Sequence, residues 1–135
     1  MADGYVDLTE FIPAVGVRPG DFGLDEDAEL TELLDRWSSY VKGEIDDHCN
    51  RDFLEQAGGV LADVHPTIRS VGERALSRWV QQVRSHRDAA LVRLDDWQVG
   101  INLVDEVLPQ HLRDTLDRHL RSLRKHLFSG FVSHG

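Results

Sequence analysis

One stretch of ten residues, EIDDHCNRDF at positions 44–53, gathers most of the side chains that could do chemistry. Glu44 and His48 are four positions apart, so on a helix they share one face and could bind a metal ion as a pair. Cys49, the only cysteine in the chain, follows directly. A zinc site needs three or four converging ligands, and no second Glu-x-x-His or Cys-x-x-Cys motif supplies the others. The stretch therefore favours a structural role at the end of a helix over metal binding.

Other groupings of reactive side chains are weaker. His48 and Cys49 could in principle act as base and nucleophile. They are neighbours on a predicted helix, however, where adjacent side chains diverge. His119 and His126 lie two helical turns apart, about 10 Å, which is too far to share one ion. The sequence contains neither a glycine-rich phosphate loop nor a GxSxG motif. We therefore expect no catalytic activity, no cofactor and no bound metal.

Composition narrows the class of protein. The 135 residues are 41% hydrophobic, which suits one domain, and no apolar run approaches the roughly 20 residues that cross a bilayer. The acidic N-terminus resembles no export signal, and a single cysteine cannot form an intrachain disulfide. The chain has 16 Asp and 8 Glu against 13 Arg and 2 Lys. This bias is typical of proteins from salt-loving organisms, with an ordinary acidic protein as the alternative.

Charge is divided unevenly along the chain. Residues 1–63 carry 16 acidic and 4 basic side chains, a net charge of −12, whereas residues 64–135 carry 8 acidic and 11 basic ones, a net charge of +3. The asymmetry indicates two surfaces with different partners, or head-to-tail packing between copies. It does not indicate a nucleic-acid reader, because phosphate binding needs a concentrated basic face.

Apolar residues at steps of three and four predict a mainly α fold, a small bundle of three principal helices over residues 26–50, 65–86 and 108–128. Residues 1–24 are predicted to lead into the bundle through a short helical turn with Thr9 as candidate cap, and residues 129–135 to form a tail. The three apolar stripes comprise Leu30, Leu33, Leu34, Trp37, Val41, Ile45 and Cys49, then Ile68, Val71, Ala75, Leu76, Trp79, Val80 and Val83, and finally Leu108, Leu112, Leu116, Leu120, Leu123 and Leu127.

Helix ends and glycines give four further predictions. Asn50 is expected to end the first helix, because Asn tolerates the left-handed conformation common at that position. Phe53 is then expected to fold back onto the core. Gly43 and Gly72 lie inside helices, where glycine costs up to about 1 kcal/mol relative to alanine, so Gly43 is predicted to mark close packing and Gly72 a tight helix crossing.

The hydrophobic period changes in residues 90–103. In this segment Trp97, Val99, Ile101 and Leu103 alternate with polar residues or glycine. That alternation predicts a strand, or a short β-hairpin in which residues 90–94 supply the partner, before the last helix. Because a lone hairpin is marginal in water, it must pack on the helices or pair with a neighbouring chain.

The order of these elements resembles the head–tail connector, or adaptor, proteins of tailed double-stranded DNA viruses. In that family the first long helix typically ends in a Gly-Arg-x-Phe-like element, which Asn50, Arg51 and Phe53 occupy here with Asn in place of Gly. The family then tends to have an Asp-aromatic-x-Val strand, followed by a Leu-Pro pair that opens the final helix. The residues that match them are Asp96, Trp97, Val99, Leu108 and Pro109. The resemblance covers roughly residues 5–118 and departs where the last helix continues.

The resemblance implies a structural virion protein whose single domain spans residues 1–135 and which forms a ring, usually a dodecamer, beneath the portal protein. Such a ring extends the DNA channel and offers a platform for the next neck or tail-completion protein. It lies in the virion neck after assembly in the host cytoplasm. DNA passes through without sequence-specific binding, and no membrane is involved.

By analogy, portal docking is assigned to the basic and aromatic residues Arg121, Arg124, Lys125, Phe128 and Phe131. A DNA conduit should repel phosphate, so an acidic face of the first helix is predicted to line the channel, with Glu44, Asp46 and Asp47 as its residues. The alternative function is a small helical DNA-binding regulator that uses the basic last helix.

Overall fold

The computed structural model describes residues 4–90 and 106–132, with side chains placed for residues 4–85 and 106–124. The described residues are mainly helical, as predicted, and contain no strand. The segment 91–105 lies outside the described residues, and so do Asp96, Trp97 and Val99. The helices are α1 (Leu8–Val15), α2 (Asp27–Cys49), α3 (Phe53–Gln56), α4 (Pro66–Ala90) and α5 (Gln110–Val132), with 3₁₀ turns at Pro19–Phe22 and Leu61–Asp63.

The three long helices α2, α4 and α5 form the bundle. The predicted apolar stripes of α2 and α4 face its core, and so do Leu112 and Leu116 of α5. Every stripe residue of α2 and α4 is buried. At the centre Trp37 of α2 stacks on Trp79 of α4, with ring centroids 4.8 Å apart and planes at 8°. Tyr40 meets Trp79 edge-on at 5.8 Å. These rings exclude water over a large apolar area, which is the main stabilising term for a domain of this size.

The N-terminal segment is a larger part of the core than its sequence predicts. Asp7, and not Thr9, caps α1, because its carboxylate accepts the Thr9 N–H at 3.0 Å. Phe22 meets Trp37 edge-on at 5.5 Å. Glycines and prolines interrupt the segment, so its apolar residues show no regular period, yet each short turn buries one or two of them. The buried residues are Tyr5, Val6, Leu8, Phe11, Val17, Phe22 and Leu24.

The two helical glycines have different surroundings. A Cβ atom added to Gly72 would lie 3.1 Å from the Cβ of Tyr5, so the chain does pack closely there. The predicted helix crossing is wrong, however, because the neighbour is the N-terminal segment before α1. A Cβ atom added to Gly43 would meet nothing within 4 Å, so the prediction of close packing at that position is wrong. Nothing in the structure explains the choice of glycine at position 43.

Helix α5 continues beyond its predicted end. It runs to Val132, so four residues of the predicted tail are helical, and α4 likewise reaches Ala90, the first residue of the predicted hairpin. Burial decreases along α5: Leu112 and Leu116 are buried, whereas Leu120 is only partly buried. From Leu123 to Val132 the helix extends for a further 13 Å or so. Among the described side chains of α5, full burial therefore ends at Leu116.

Candidate interaction site at the end of helix α2

The stretch of sequence richest in reactive side chains forms the end of α2. Asn50 has φ 55° and ψ 43°, the left-handed conformation that was predicted, and the Asn50 and Arg51 N–H groups both donate to the carbonyl oxygen of Asp46. Cys49 is buried on the apolar stripe, and burial raises its pKa to about 11. Its thiol is therefore protonated at neutral pH, which does not suit a nucleophile.

A network of hydrogen bonds fixes this helix end to the N-terminal segment. The Tyr5 hydroxyl donates to Oδ1 of Asp46 at 2.5 Å and accepts the Phe53 N–H at 3.0 Å. Lys42 Nζ lies 2.6 Å from Oδ2 of Asp46 and 3.0 Å from Oδ2 of Asp52. We call these five residues the Tyr5 network. The network holds Phe53 in the core, as the sequence predicted. The sequence did not predict Tyr5 as the partner of Phe53.

The pKa shifts show which protonation states the network needs. Burial, followed by the hydrogen bond to Asp46, raises the pKa of Tyr5, so the hydroxyl stays protonated and donates a hydrogen bond to that carboxylate. Burial alone would lower the pKa of Lys42, but its hydrogen bonds to Asp46 and Asp52 reverse the direction and raise it. The Glu55 N–H, together with Lys42, lowers the pKa of Asp52, whose Oδ1 caps α3. The lysine is therefore charged at neutral pH, and so is Asp52.

The three acids predicted to face a channel occupy different environments. Asp47 is exposed and Glu44 is half-buried. Burial and the nearby Glu44 carboxylate raise the pKa of Tyr40. The side chain of Asp46 is only 18% exposed and is paired with Lys42 inside the subunit. Asp46 thus contributes to internal structure, whereas Asp47 is the acid of the three that solvent reaches most freely.

His48 connects α2 to α5. Its Nε2 atom lies 2.8 Å from Oδ1 of Asp117. His48 therefore has a carboxylate partner on α5, whereas its spacing from Glu44 had suggested a possible metal ion. Among the side chains described, those of residues 4–85 and 106–124, no three from His, Cys, Asp or Glu converge in a way that could hold a metal ion.

A second cluster of titratable groups lies next to Phe53, in a cavity of about 190 Å³. The imidazole rings of His65 and His119 are 4.5 Å apart by centroid, tilted at 46°. The guanidinium of Arg51 lies 5.8 Å from the centroid of the Phe53 ring, on the same wall. Val64, Leu123 and Asp63 also line the cavity. We call it the His65–His119 pocket.

The hydrogen bonds and charges around the pocket affect the two imidazoles in different ways. Nδ1 of His65 accepts the Thr67 N–H at 3.1 Å, so this ring nitrogen carries no proton and caps the start of α4. Burial, the neighbouring His65 and the charge of Arg51 together lower the pKa of His119. The position of His65 before Pro66, which begins α4, is a sequence signal for a cap. No spacing in the sequence links it to His119.

The remaining predicted site residues lie along α5. Leu108 and Pro109 are buried, and the Pro109 carbonyl accepts the N–H groups of Leu112 and Arg113, so Pro109 precedes the helix instead of occupying its first turn. Arg121 and Arg124 are exposed. The other three proposed docking residues lie on the helical backbone, and their side chains are beyond those described: Lys125, Phe128 and Phe131.

Comparison of the chain with models of known families, with curated proteins and with solved structures finds no match. The likeness to head–tail adaptors thus depends on the order of its motifs. Within the described part of the chain, no helix combines the length and the apolar character that crossing a bilayer requires.

Proposed function

We propose that this protein is a head–tail adaptor: a structural virion protein that forms a ring under the portal, extends the DNA channel and carries the neck or tail components. The resemblance of its ordered motifs to that family is the starting point. In support, Asn50 has the left-handed backbone that the family's glycine would supply, and Arg51 lies over the ring of Phe53. The function is mechanical and needs no catalytic group.

The length of α5 is the structural observation that carries the proposal. The buried leucines of this helix end at Leu116 among the described side chains, yet its backbone continues helically to Val132. A helical segment without packing partners is marginal in water, so the part of α5 beyond the buried leucines described here would gain stability from a partner. A partner that accepts residues 121–132 explains the extension, and the exposed Arg121 and Arg124 suit an acidic partner surface.

The proposal includes two further surfaces. The acidic face of α2 would line the channel through Asp47 and Glu44, since a surface that binds phosphate slows the passage of DNA. The strand or hairpin predicted for residues 90–103 would pack on the helices or on a neighbouring copy. The low lysine content fits a virus of a halophilic host.

Portal docking is tested by deleting residues 121–135 and measuring co-sedimentation with the portal protein encoded in the same genome. The deletion removes none of the buried side chains described here, so circular dichroism should still show a folded bundle. We expect binding to be lost. The control is Arg18→Ala with Arg36→Ala, which removes two exposed arginines from the opposite half of the chain. Unchanged binding after the deletion would refute portal docking by α5.

The second candidate function, a DNA-binding regulator, is favoured by the exposed arginines Arg118, Arg121 and Arg124 of α5. The net charge of −9 opposes it, because the field of the whole protein repels phosphate. Gel shifts with duplex DNA at low and at moderate salt separate the two functions. An adaptor should leave the DNA unshifted, whereas tight binding at moderate salt would support the regulator and contradict an acidic channel face.

A further inference from the structure

Two imidazole rings connect different parts of the chain where full burial ends along α5. His119 follows Leu116, the last fully buried leucine among the described side chains of this helix. Its ring lies 4.5 Å by centroid from that of His65, which precedes α4, and 6.3 Å from that of Phe53, which begins α3. The His65–His119 pocket therefore joins α5 to the segments that lead into α3 and α4.

Each ring has a contact that protonation would disturb. Nδ1 of His65 accepts the Thr67 N–H at 3.1 Å, which it can do only while that nitrogen carries no proton. A charged imidazole carries protons on both ring nitrogens, so acid would remove this cap of α4. Burial, the neighbouring His65 and the charge of Arg51 lower the pKa of His119. The pocket therefore suits an uncharged His119 beside a His65 that accepts a hydrogen bond.

The charges that line the pocket balance only while both rings are neutral. The lining contains one guanidinium, that of Arg51 just after α2, and one carboxylate, that of Asp63 in the turn before α4. Protonating both rings would set three positive charges against one negative charge, a net charge of +2. Phe53, Val64 and Leu123 form the apolar part of the lining, which limits contact with water and so strengthens the repulsion.

The carboxylates on neighbouring elements lie outside the lining. Asp52, at the start of α3, is paired with Lys42. Asp117 of α5 is paired with His48, and protonation of His48 strengthens that pair, so this contact responds to acid in the opposite direction. Glu55 of α3 is exposed and does not line the cavity. The lining also excludes the other charged side chains on the elements around the two rings, which are Asp47, Arg69, Arg118 and Arg121.

We propose that the His65–His119 pocket is an acid-sensitive joint, which holds the part of α5 after Leu116 against the start of α4 at neutral pH and releases it when the imidazoles are protonated. The buried side chains of Leu112 and Leu116 keep the first half of α5 in the core, so the release is local and the bundle stays folded. His119 contributes to the attachment above its ordinary pKa of 6.5, and this contribution is lost as the pH falls through its lowered folded-state pKa. The inference does not depend on the adaptor function, because it concerns how α5 is attached to its own subunit.

The test is amide hydrogen exchange of the full-length protein at about pH 7.5 and about pH 5, corrected for the intrinsic effect of pH on exchange. Protection of the amides of residues 117–124, relative to those of α2, should fall at least about tenfold in acid. His119→Gln removes one titrating ring, and His65→Asn removes the other while it keeps a capping oxygen for the Thr67 N–H. Each variant should make the acid-dependent loss at least about threefold smaller, and the double variant should abolish it.

His111→Gln is the matched control, since His111 is an exposed histidine of α5 outside the pocket. It should leave the acid response unchanged. The inference is overturned if protection of residues 117–124 does not fall in acid, if the pocket variants lose as much as the natural chain, or if the control removes the response. Titration of the His119 ring by NMR gives a second readout on the natural chain. A pKa at or above 6.5 would also refute the joint, because folding would then not oppose the charging of that ring.

Discussion

The two ends of α2 use the same kind of residue for different purposes. At the first turn, Glu26 and Asp27 extend into solvent. At the last turn, Asp46 binds Tyr5 and Lys42 inside the subunit. An acidic composition alone cannot distinguish these roles, since both carboxylates add equally to the net charge. The contrast suggests that the end of α2 maintains the fold, while its start is available to another molecule.

Tyr5→Ala should destabilise the C-terminal end of α2, the end fixed by the Tyr5 network, more than any other substitution. The residue is 1% exposed, and its ring packs edge-on against Phe53 at 6.3 Å. Losing a buried aromatic ring costs about 3–5 kcal/mol of unfolding free energy, which urea denaturation measures. Tyr5→Phe keeps the ring and loses only the hydroxyl, so it should cost about 1–3 kcal/mol. A loss below 1 kcal/mol or so for Tyr5→Ala would show that the N-terminal segment does not stabilise the bundle.

Lys42→Met should have the next largest effect. It leaves Asp46 and Asp52 without their cation in a site where Lys42 is only 14% exposed, which we expect to cost about 1–3 kcal/mol by urea denaturation. The control, Arg36→Met, removes an exposed pair with Glu32 and should cost less than about 0.5 kcal/mol. Equal losses in the two variants would argue against a special role for the fixed end.

Substitutions of Asn50 test the helix stop itself. Asn50 has a left-handed backbone, which is strained for most residues that carry a Cβ atom but is tolerated by Asn. Asn50→Ala should therefore lower the free energy of unfolding by about 1 kcal/mol. Asn50→Gly should change the free energy of unfolding by only a few tenths of a kcal/mol, since glycine adopts this conformation freely. A reversed order, measured by thermal or urea unfolding, would mean that the side chain of Asn50 contributes more than its conformation.

The pH dependence of stability tests Asp52. Its folded-state pKa is below the ordinary value of 3.8, so its contribution to stability is present above that pH and is lost as the pH falls through the folded-state pKa. Asp52→Asn keeps a capping oxygen but cannot titrate. Between about pH 5 and about pH 2, the stability of the natural chain should therefore fall more steeply than that of Asp52→Asn. Parallel curves would exclude Asp52 as an acid-sensitive group.

The smallest effect is expected at the open end of α2. Glu26→Gln with Asp27→Asn removes two exposed carboxylates, and the unfolding free energy should change by less than about 0.5 kcal/mol. If this pair proved as costly as Lys42→Met, the start of α2 would be a structural element and the contrast between the two ends would disappear.

The sequence pattern predicted the features that depend on neighbouring residues alone, namely the buried faces of the helices and the end of α2. The stripes of α2 and α4 were predicted in full, because a helical period reports which side faces a core. Asn50 was predicted for a similar reason, since its side chain suits the left-handed stop whatever surrounds it. The chain packs closely at Gly72, although not at a helix crossing, whereas Gly43 shows that a helical glycine does not by itself imply a neighbour.

Contacts between distant parts of the chain were not predictable. Tyr5 and Asp46 are 41 positions apart, and His65, which caps the start of α4, lies far along the chain from His119 in α5. No periodicity connects such pairs. A single residue such as Tyr5 in an irregular segment belongs to no apolar stripe, so the sequence pattern does not predict its burial. The cap of α1 was wrong by two positions, because Asp7 and Thr9 are both good capping residues and only the course of the chain decides between them.

The packing of Tyr5 against Gly72 also constrains the order in which the molecule can acquire its shape. Synthesis delivers Tyr5 well before Asp46, Phe53 and Gly72, the residues that it contacts. Contacts that join distant positions form slowly, because a long loop must close first. A ribosome therefore releases Tyr5 long before its partners emerge, and the segment around Tyr5 is among the last to reach its final position.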